Sequence, residues 1–263
     1  MRKYLSLLRY EAKTIFRDTI NIYMCMFPLI ILLLSTFVFP MIFETMDSAQ
    51  GAALQMTMMI LLIVILVFGS FFLAAMATFL LLDHKDECTL NTVAVTPVGV
   101  SGYIKFKMTY IYIMTVVSTI IVLLGTKVFA ADKYMIEGVS LFNRINLLHI
   151  LSFALVTGIF APALALFQSA FAKNKIEGFA FIKGTGIIAL IPVLMVLETF
   201  QGGMQYLLGV FPSFWAVKGL MLEFLPNANS ANLSYPLYLI IGAAYNLIIL
   251  VTAYRFFLKK VHY

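Results

Sequence analysis

Charged residues are scarce in this sequence of 263 residues. Asp, Glu, Lys and Arg make up only 11% of the chain, whereas hydrophobic residues make up 62%. A soluble domain of this length carries about 25% charged residues. So few charges cannot cover the surface of a folded chain in water. The composition therefore excludes an ordinary soluble domain and indicates an integral membrane protein.

Several chemical motifs are also absent. The sequence has no G-x-x-x-x-G-K-[ST] phosphate-binding loop and no H-E-x-x-H metal motif, and its three histidines are scattered. We therefore predict no catalytic residues, no metal site and no cofactor bound by this chain. Of the two cysteines, Cys25 lies near the inner end of the first apolar run and Cys88 in a predicted cytoplasmic loop. Neither is placed to form an extracellular disulfide.

Long apolar runs are what the sequence has in abundance. A helix needs about 20 mostly apolar residues to cross a bilayer. Six stretches reach that length: Asn21–Phe43, Gln55–Leu82, Ile104–Thr126, Leu147–Phe171, Phe179–Phe200 and Leu233–Phe257. They are too continuous for barrel strands, which alternate in polarity over about 10 residues. We predict an all-α polytopic membrane protein with six transmembrane helices in a single domain, 1–263, and a first span that is retained rather than cleaved.

The basic residues predict the orientation. If both termini are cytoplasmic, 14 of the 18 Lys and Arg residues lie on the inner side, while the acidic residues divide evenly. Basic flanks are retained in the cytoplasm, so we expect a multi-pass protein of the cell (plasma) membrane with both termini cytoplasmic. The net charge of +6 then faces anionic membrane lipids, and no nucleic-acid partner is expected.

Residues 1–18 carry their own pattern. Apolar residues recur at helical spacing and are interleaved with Arg9, Lys13 and Arg17. This spacing predicts an amphipathic helix on the inner membrane surface. The alternative is a positive flank that only sets the topology.

The polar segment 83–103, between the second and third spans, is the most informative part of the chain. Leu90, Val93 and Ala94 follow its acidic start at positions i, i+3 and i+4, which predicts a short helix with an apolar face. Pro97 ends this helix. A short helix on the cytoplasmic side is suited to docking a partner. A helix that only lies among the lipid headgroups fits the same pattern.

The segment resembles the first cytoplasmic loop of the ABC-2 type transporter permeases. In that family an acidic residue, a Thr-Leu pair, a short apolar run, a Thr-Pro pair and a later Lys recur in this order. The corresponding residues here are Glu87, Thr89, Leu90, Thr96, Pro97 and Lys105. The six spans and the N-terminal helix agree with the same family.

The resemblance implies an exporter permease. Such permeases pair as homodimers or heterodimers, and each binds a separate ABC ATPase subunit, so the assembly has two ATPases, which bind the ATP and Mg. The short helix is then a coupling helix that contacts the ATPase, with the N-terminal helix beside it. We assign this coupling to Asp86, Glu87, Thr89, Leu90, Val93, Thr96 and Pro97. The expected substrate is a drug, a peptide or a lipid-like molecule.

The outer segment 202–226 is apolar but too interrupted to span the membrane. Similar permeases have short helices here that dip back into the outer leaflet, so we predict re-entrant helices before the sixth span. Glu198 and Trp215 are candidates for the substrate pathway or its gate. The alternatives are a solvated acid and an interfacial aromatic anchor.

Three other classes were weighed against the permease. An intramembrane enzyme needs paired reactive groups in the spans, and the sequence has none. An ion-coupled carrier needs several buried acids or a pair of broken helices, whereas only Glu198 is available. A membrane scaffold or immunity protein, which binds a partner without transport, fits the same segments.

Overall fold

The computed structural model describes residues 2–46, 51–87, 89–95, 98–136, 138–200, 202–225 and 233–261. Within these residues, six helices are long and apolar enough to cross a membrane, and we number them spans 1 to 6: Thr19–Thr45, Gly51–Asp86, Gly99–Lys133, Leu147–Phe171, Lys175–Val196 and Tyr235–Lys260. The prediction of an all-α polytopic membrane protein is confirmed.

The chain begins with α1, Arg2–Arg17, which precedes the first span. Asp18 separates the two helices because its extended backbone ends α1 and its carboxylate accepts a hydrogen bond from Ile20 N at 2.8 Å. Such a cap satisfies one of the free amides at a helix start. Span 1 then consists of α2 (Thr19–Leu33), a π-helical turn (Leu34–Val38) and α3 (Phe39–Thr45).

Span 2 is the centre of the bundle. It is a single 36-residue helix, α4 (Gly51–Asp86), about 54 Å long at 1.5 Å per residue. Seventy-two per cent of its most apolar window is buried, against 28% for spans 1, 5 and 6. The outer spans therefore present wide apolar faces to lipid or to another membrane subunit.

The remaining elements follow in chain order. They are α5 (Thr89–Ala94), α6 (Gly99–Ala130) with a 3-10 turn (Ala131–Lys133), β1 (Met135–Ile136), β2 (Val139–Ser140), α7 (Leu141–Arg144), α8 (Leu147–Gly158), α9 (Phe160–Phe171) and α10 (Lys175–Ala189). After α10 come 3-10 segments at Ile191–Val196, Glu198–Phe200 and Gly202–Val210, then α11 (Pro212–Phe224) and α12 (Tyr235–Val261). Strands β1 and β2 pair as an antiparallel hairpin.

Span 4 is interrupted between α8 and α9, at Ile159. Pro162 explains the break, because it has no N–H to donate to the carbonyl one turn earlier. Close by, α11 packs against span 6 and also contacts spans 2 and 4. Its first residues lie beside Leu66 and Asn246, which are both about halfway along their spans. Re-entry of the segment 202–226 into the membrane stays a prediction, which this packing favours.

Several span boundaries differ from the sequence-based prediction. Span 2 continues as helix through Asp86 and span 3 begins at Gly99, so the link between them is much shorter than 83–103. Gly99 allows the sharp entry into span 3 because its φ is +64°, a region that side chains disfavour. Span 5 starts at Lys175, four residues earlier than predicted, because Asn174 caps it by accepting from Glu177 N at 2.9 Å.

Candidate functional site

A buried polar network joins α1, span 2, α5 and span 3 on the side of the bundle that carries both termini. We call its five residues the junction network: Glu11, His84, Thr89, Tyr103 and Lys107. Tyr103 is its centre, since its hydroxyl donates to Glu11 Oε1 at 2.5 Å and lies 2.7 Å from His84 Nε2. The other ring nitrogen, His84 Nδ1, lies 2.7 Å from Thr89 Oγ1. One chain of hydrogen bonds therefore runs from α1 to the first residue of α5.

The hydrogen bonds of the network are mutually consistent in direction. If Tyr103 donates to the Glu11 carboxylate, His84 donates to the tyrosine oxygen from Nε2. Its Nδ1 is then free to accept from the Thr89 hydroxyl. The chain of hydrogen bonds from Glu11 through Tyr103 and His84 to Thr89 thus fixes the relative positions of four elements.

Lys107 and Glu11 form an ion pair inside this network. Lys107 Nζ lies 3.4 Å from Glu11 Oε2, and both side chains are fully buried. The same ammonium donates to the carbonyl of Leu80 at 3.0 Å and to the Tyr103 hydroxyl at 3.4 Å. A buried charge is tolerated only when it is paired and hydrogen bonded. The pair therefore holds α1 against spans 2 and 3.

Helical periodicity explains how these residues meet. Glu11 and Ile15 are one turn apart on α1, and both are buried against the bundle. Tyr103 and Lys107 are likewise one turn apart on span 3, so their side chains project to the same side. His84 lies in the last turn of span 2, next to the start of α5.

The short helix α5 turns two residues of its predicted apolar face inward. Leu90 is only 7% exposed and Val93 is half-buried, so these two residues point into the bundle, whereas Ala94 is exposed. Thr92 on α5 and the flanking residues Asp86, Glu87 and Val95 are also exposed, Val95 to 86%. Thr89 belongs to the junction network. Two other predicted coupling residues, Thr96 and Pro97, lie outside the described residues.

Lys175 ties the link between spans 4 and 5 to the same region. Its ammonium forms ion pairs with Asp83 and, at 3.4 Å, with Asp18. Its backbone N–H donates to Asp86 Oδ2 at 3.2 Å. One lysine therefore connects the start of span 1, the end of span 2 and the start of span 5.

A cavity of about 700 Å³ lies between α1 and the end of span 2. Lys13 and Arg17 line one wall, and Asp83, His84 and Glu87 line another. The predicted basic residues Arg9, Lys13 and Arg17 are all exposed. The cavity thus brings the basic face of α1 opposite the acidic residues that precede α5.

The two candidate gate residues lie away from this network. Glu198 is exposed. Trp215 is half-buried, and its indole N–H donates to the Gly209 carbonyl at 2.8 Å. Its ring lies 5.4 Å from Phe214 and 6.2 Å from Tyr206 between centroids. Trp215 therefore holds the 3-10 segment Gly202–Val210 against α11, and a role of either residue in a gate stays a prediction.

Most residues of the junction network are not apparent from the sequence patterns. Glu11, His84, Tyr103 and Lys107 were not singled out, although a signal for two of them is present. Glu11 stands one turn before Ile15 on the apolar side of α1, and Lys107 stands among apolar residues at the start of span 3. A charged residue at an inward position needs a partner. Two such residues of opposite charge can therefore be predicted to form an ion pair with each other.

In the described part of the chain, five apolar spans surround a buried central span, and a polar junction at one end connects a short helix to the spans by hydrogen bonds. This arrangement defines a polytopic membrane protein. Comparison with known proteins identifies the class as a permease. The family model described as fluoroquinolones export permease protein Rv2686c-like matches residues 11–254. The chain belongs to this family of export permeases.

Two curated relatives agree with the family assignment. The fluoroquinolones export permease proteins MT2760 and Rv2686c, from two strains of Mycobacterium tuberculosis (CDC 1551 / Oshkosh and ATCC 25618 / H37Rv), are each 26% identical to this chain. Each match covers 254 residues, which is 96% of this chain and 92% of the relative. The chain is thus the permease subunit of an ABC exporter, the ABC-2 resemblance is confirmed, and the family implies a partner ATPase.

Proposed function

We propose that this chain moves a fluoroquinolone-type drug out of the cell when a separate ATPase engages α5. The observation that carries the proposal is the junction network, because it connects α5 to α1 and to spans 2 and 3 through buried hydrogen bonds. The substrate class comes from the relatives, which are fluoroquinolones export permeases. ATP and Mg²⁺ bind to the partner, and this chain contributes no hydrolytic residues.

The network gives a physical route for the coupling. Thr89 is the first residue of α5, and its hydroxyl bonds to His84 of span 2. His84 in turn bonds to Tyr103 of span 3. Because His84 and Tyr103 are buried and Thr89 is half-buried, separating them leaves polar atoms without partners, at a cost of about 1–3 kcal/mol for each buried group. A push on α5 therefore moves spans 2 and 3 together with α1.

The exposed residues of α5 and its flanks form the proposed contact with the ATPase. Asp86, Glu87 and Thr92 are exposed, and Val95 adds an exposed apolar side chain just after the helix. Leu90 contributes indirectly, since it packs α5 against the bundle. The cavity beside α1, with Lys13 and Arg17, extends this surface.

The orientation and the assembly belong to the same proposal. The side with α1 and the junction network faces the cytoplasm, since 14 of the 18 basic residues lie on that side. Two permeases, identical or different, pair through the apolar faces of the outer spans. The low burial of spans 1, 5 and 6 supports this arrangement. Each permease then binds one ATPase.

Co-purification with a candidate ATPase tests the docking surface. We expect wild type to retain the ATPase and Val95→Asp to lose it, because a charge would replace the exposed apolar side chain of α5. Val139→Asp is the matched control, since Val139 is also exposed but lies in the hairpin β1–β2 on the other side of the bundle. If Val95→Asp keeps the ATPase and its hydrolysis rate, docking at α5 is wrong.

A further inference from the structure

Two buried polar atoms meet at a small cavity halfway along the spans. Asn246 of span 6 is 1% exposed, and Thr157 of span 4 is 7% exposed. Among the described residues, neither Asn246 Oδ1 nor Thr157 Oγ1 has a hydrogen-bond partner. Both residues line a cavity of about 10 Å³, which has room for about one water-sized group.

A larger apolar cavity lies directly beside the small one. Its volume is about 360 Å³, and the two cavities share Phe160, Pro212 and Ser213 as lining residues. Spans 4, 5 and 6 and α11 enclose it. Small-molecule sites in proteins have volumes of about 300–1,000 Å³ and are mostly apolar with a few polar groups. The two cavities together have this composition.

The larger cavity is accessible from the side of the bundle. Phe167 of span 4 and Ile188 of span 5 both line it, and they are 43% and 46% exposed. An amphipathic molecule dissolved in the membrane can therefore enter between spans 4 and 5 without first passing through water.

The helix α11 adds a polar element at the boundary between the cavities. Its first residues, Pro212 and Ser213, line both of them. The start of a helix carries partial positive charge. Pro212 has no N–H, and Phe214 N donates to the Phe211 carbonyl at 3.1 Å, so the amide that faces this boundary is that of Ser213. Together with the Thr157 hydroxyl and the Asn246 amide, it provides hydrogen bonds for a polar or anionic group of a ligand.

We infer that this pair of cavities is a substrate site for a planar aromatic drug that carries a carboxylate, as fluoroquinolones do. The rings occupy the apolar cavity, and the polar end reaches Thr157, Asn246 and the start of α11. The unsatisfied polar atoms support a ligand over an inert void, because burying such groups without partners is costly. This inference rests on the proposed function, and it places the drug within one subunit.

Binding of a fluorescent fluoroquinolone to the purified permease–ATPase complex in nanodiscs tests the site. In Ala189→Phe a ring fills the apolar cavity, which Ala189 lines. We expect the affinity to fall by about tenfold or more, since the ring and the drug compete for the same space. The matched control is Ile187→Phe, because Ile187 is on the same helix and 75% exposed. Its affinity should equal that of wild type.

A second pair of variants keeps the test independent of any folding defect in Ala189→Phe. Thr157→Val removes the buried hydroxyl at nearly constant volume, and we expect a loss of affinity of about 2–10-fold. Thr252→Val is the control, because Thr252 is exposed on span 6 and its hydroxyl bonds only to its own helix. ATPase retention and a monodisperse elution profile establish that each variant is folded.

The outcomes separate the two proposals. If wild type binds and exports the drug but all four variants bind equally well, the site is wrong and the proposed function stands. If wild type neither binds nor exports it, the proposed substrate fails and the site fails with it. If Ala189→Phe displaces a co-purified phospholipid but leaves drug binding unchanged, the cavity holds an acyl chain and the inference is overturned.

Discussion

Removing one partner of the ion pair between Glu11 and Lys107 should destabilise the protein more than any surface charge change nearby. Both side chains are fully buried and 3.4 Å apart. In Glu11→Leu the ammonium of Lys107 stays buried, with only the Leu80 carbonyl and the Tyr103 hydroxyl as partners. Breaking a buried ion pair in this way costs about 3–5 kcal/mol.

Thermal unfolding of the purified protein in detergent measures this cost. For chains of 150–250 residues, about 1 kcal/mol shifts Tm by about 2–4 °C, so Glu11→Leu and Lys107→Met should each lower Tm by about 6–20 °C. Lys105→Met is the matched control, because Lys105 lies two residues away on span 3 and is exposed. Its Tm should stay within about 2 °C of wild type, since surface substitutions usually change stability by less than 0.5 kcal/mol.

The double variant decides whether the two residues act as a pair. Glu11→Leu combined with Lys107→Met removes both charges, and replacing a buried ion pair by apolar groups is often neutral or stabilising. We therefore expect the double variant to be more stable than either single variant. If the two losses simply add, or if Lys107→Met resembles Lys105→Met, the ion pair does not hold the junction together.

Three further predictions concern other parts of the molecule. Tyr103→Phe should keep the ATPase bound but reduce drug-stimulated ATP hydrolysis several-fold, because it removes the central hydroxyl of the junction network. Tyr254→Phe is the control and should leave drug-stimulated ATP hydrolysis unchanged, because the Tyr254 hydroxyl bonds to Ser101 at the surface. Lys218 of α11 is only 1% exposed. Burying a charge destabilises a fold unless the charge is paired, so Lys218→Met should raise Tm in the same thermal unfolding measurement, and a lower Tm contradicts this reasoning. Gln168→Leu should lower stability by about 0.6–1.7 kcal/mol, the range for hydrogen bonds between membrane helices, as measured by unfolding in mixed micelles.

The sequence predicted the spans well because each one is a local property of composition. A run such as Gln55–Leu82 is long and apolar enough to be recognised as a transmembrane helix from composition alone. In the structure this helix extends slightly further, to Gly51–Asp86. The extension at its end depends on contacts that no local pattern contains. Lys85, for example, donates to the carbonyls of Ser169 and Ala172 in span 4 and the turn after it, which keeps the last turn of span 2 helical.

The orientation of α5 was the least predictable feature. The spacing of Leu90 and Val93 correctly indicated an apolar face, but it could not tell whether that face meets the bundle or a partner. The orientation of α5 depends on Thr89, whose hydroxyl is hydrogen bonded to His84 of span 2. A hydrogen bond between residues on two different helices leaves no periodic trace in the sequence, so only the folded arrangement reveals it.

A second set of hydrogen bonds connects the junction to the proposed substrate site. Thr78 of span 2 donates to Gln168 of span 4 at 2.5 Å, and Gln168 donates to Thr185 of span 5 at 2.5 Å. Thr78 lies within two turns of His84 on the same helix, while Thr185 lines the apolar cavity. Span 2 is therefore hydrogen bonded to α5 through His84 at its end. Through Thr78, further from that end, it is connected by way of Gln168 to Thr185 in the cavity wall. Because span 2 is one continuous buried helix, a displacement that begins at α5 reaches Thr185 without crossing a flexible link. On the proposed function, this arrangement makes the central span, rather than the more exposed outer spans, the element that transmits ATPase motion to the drug.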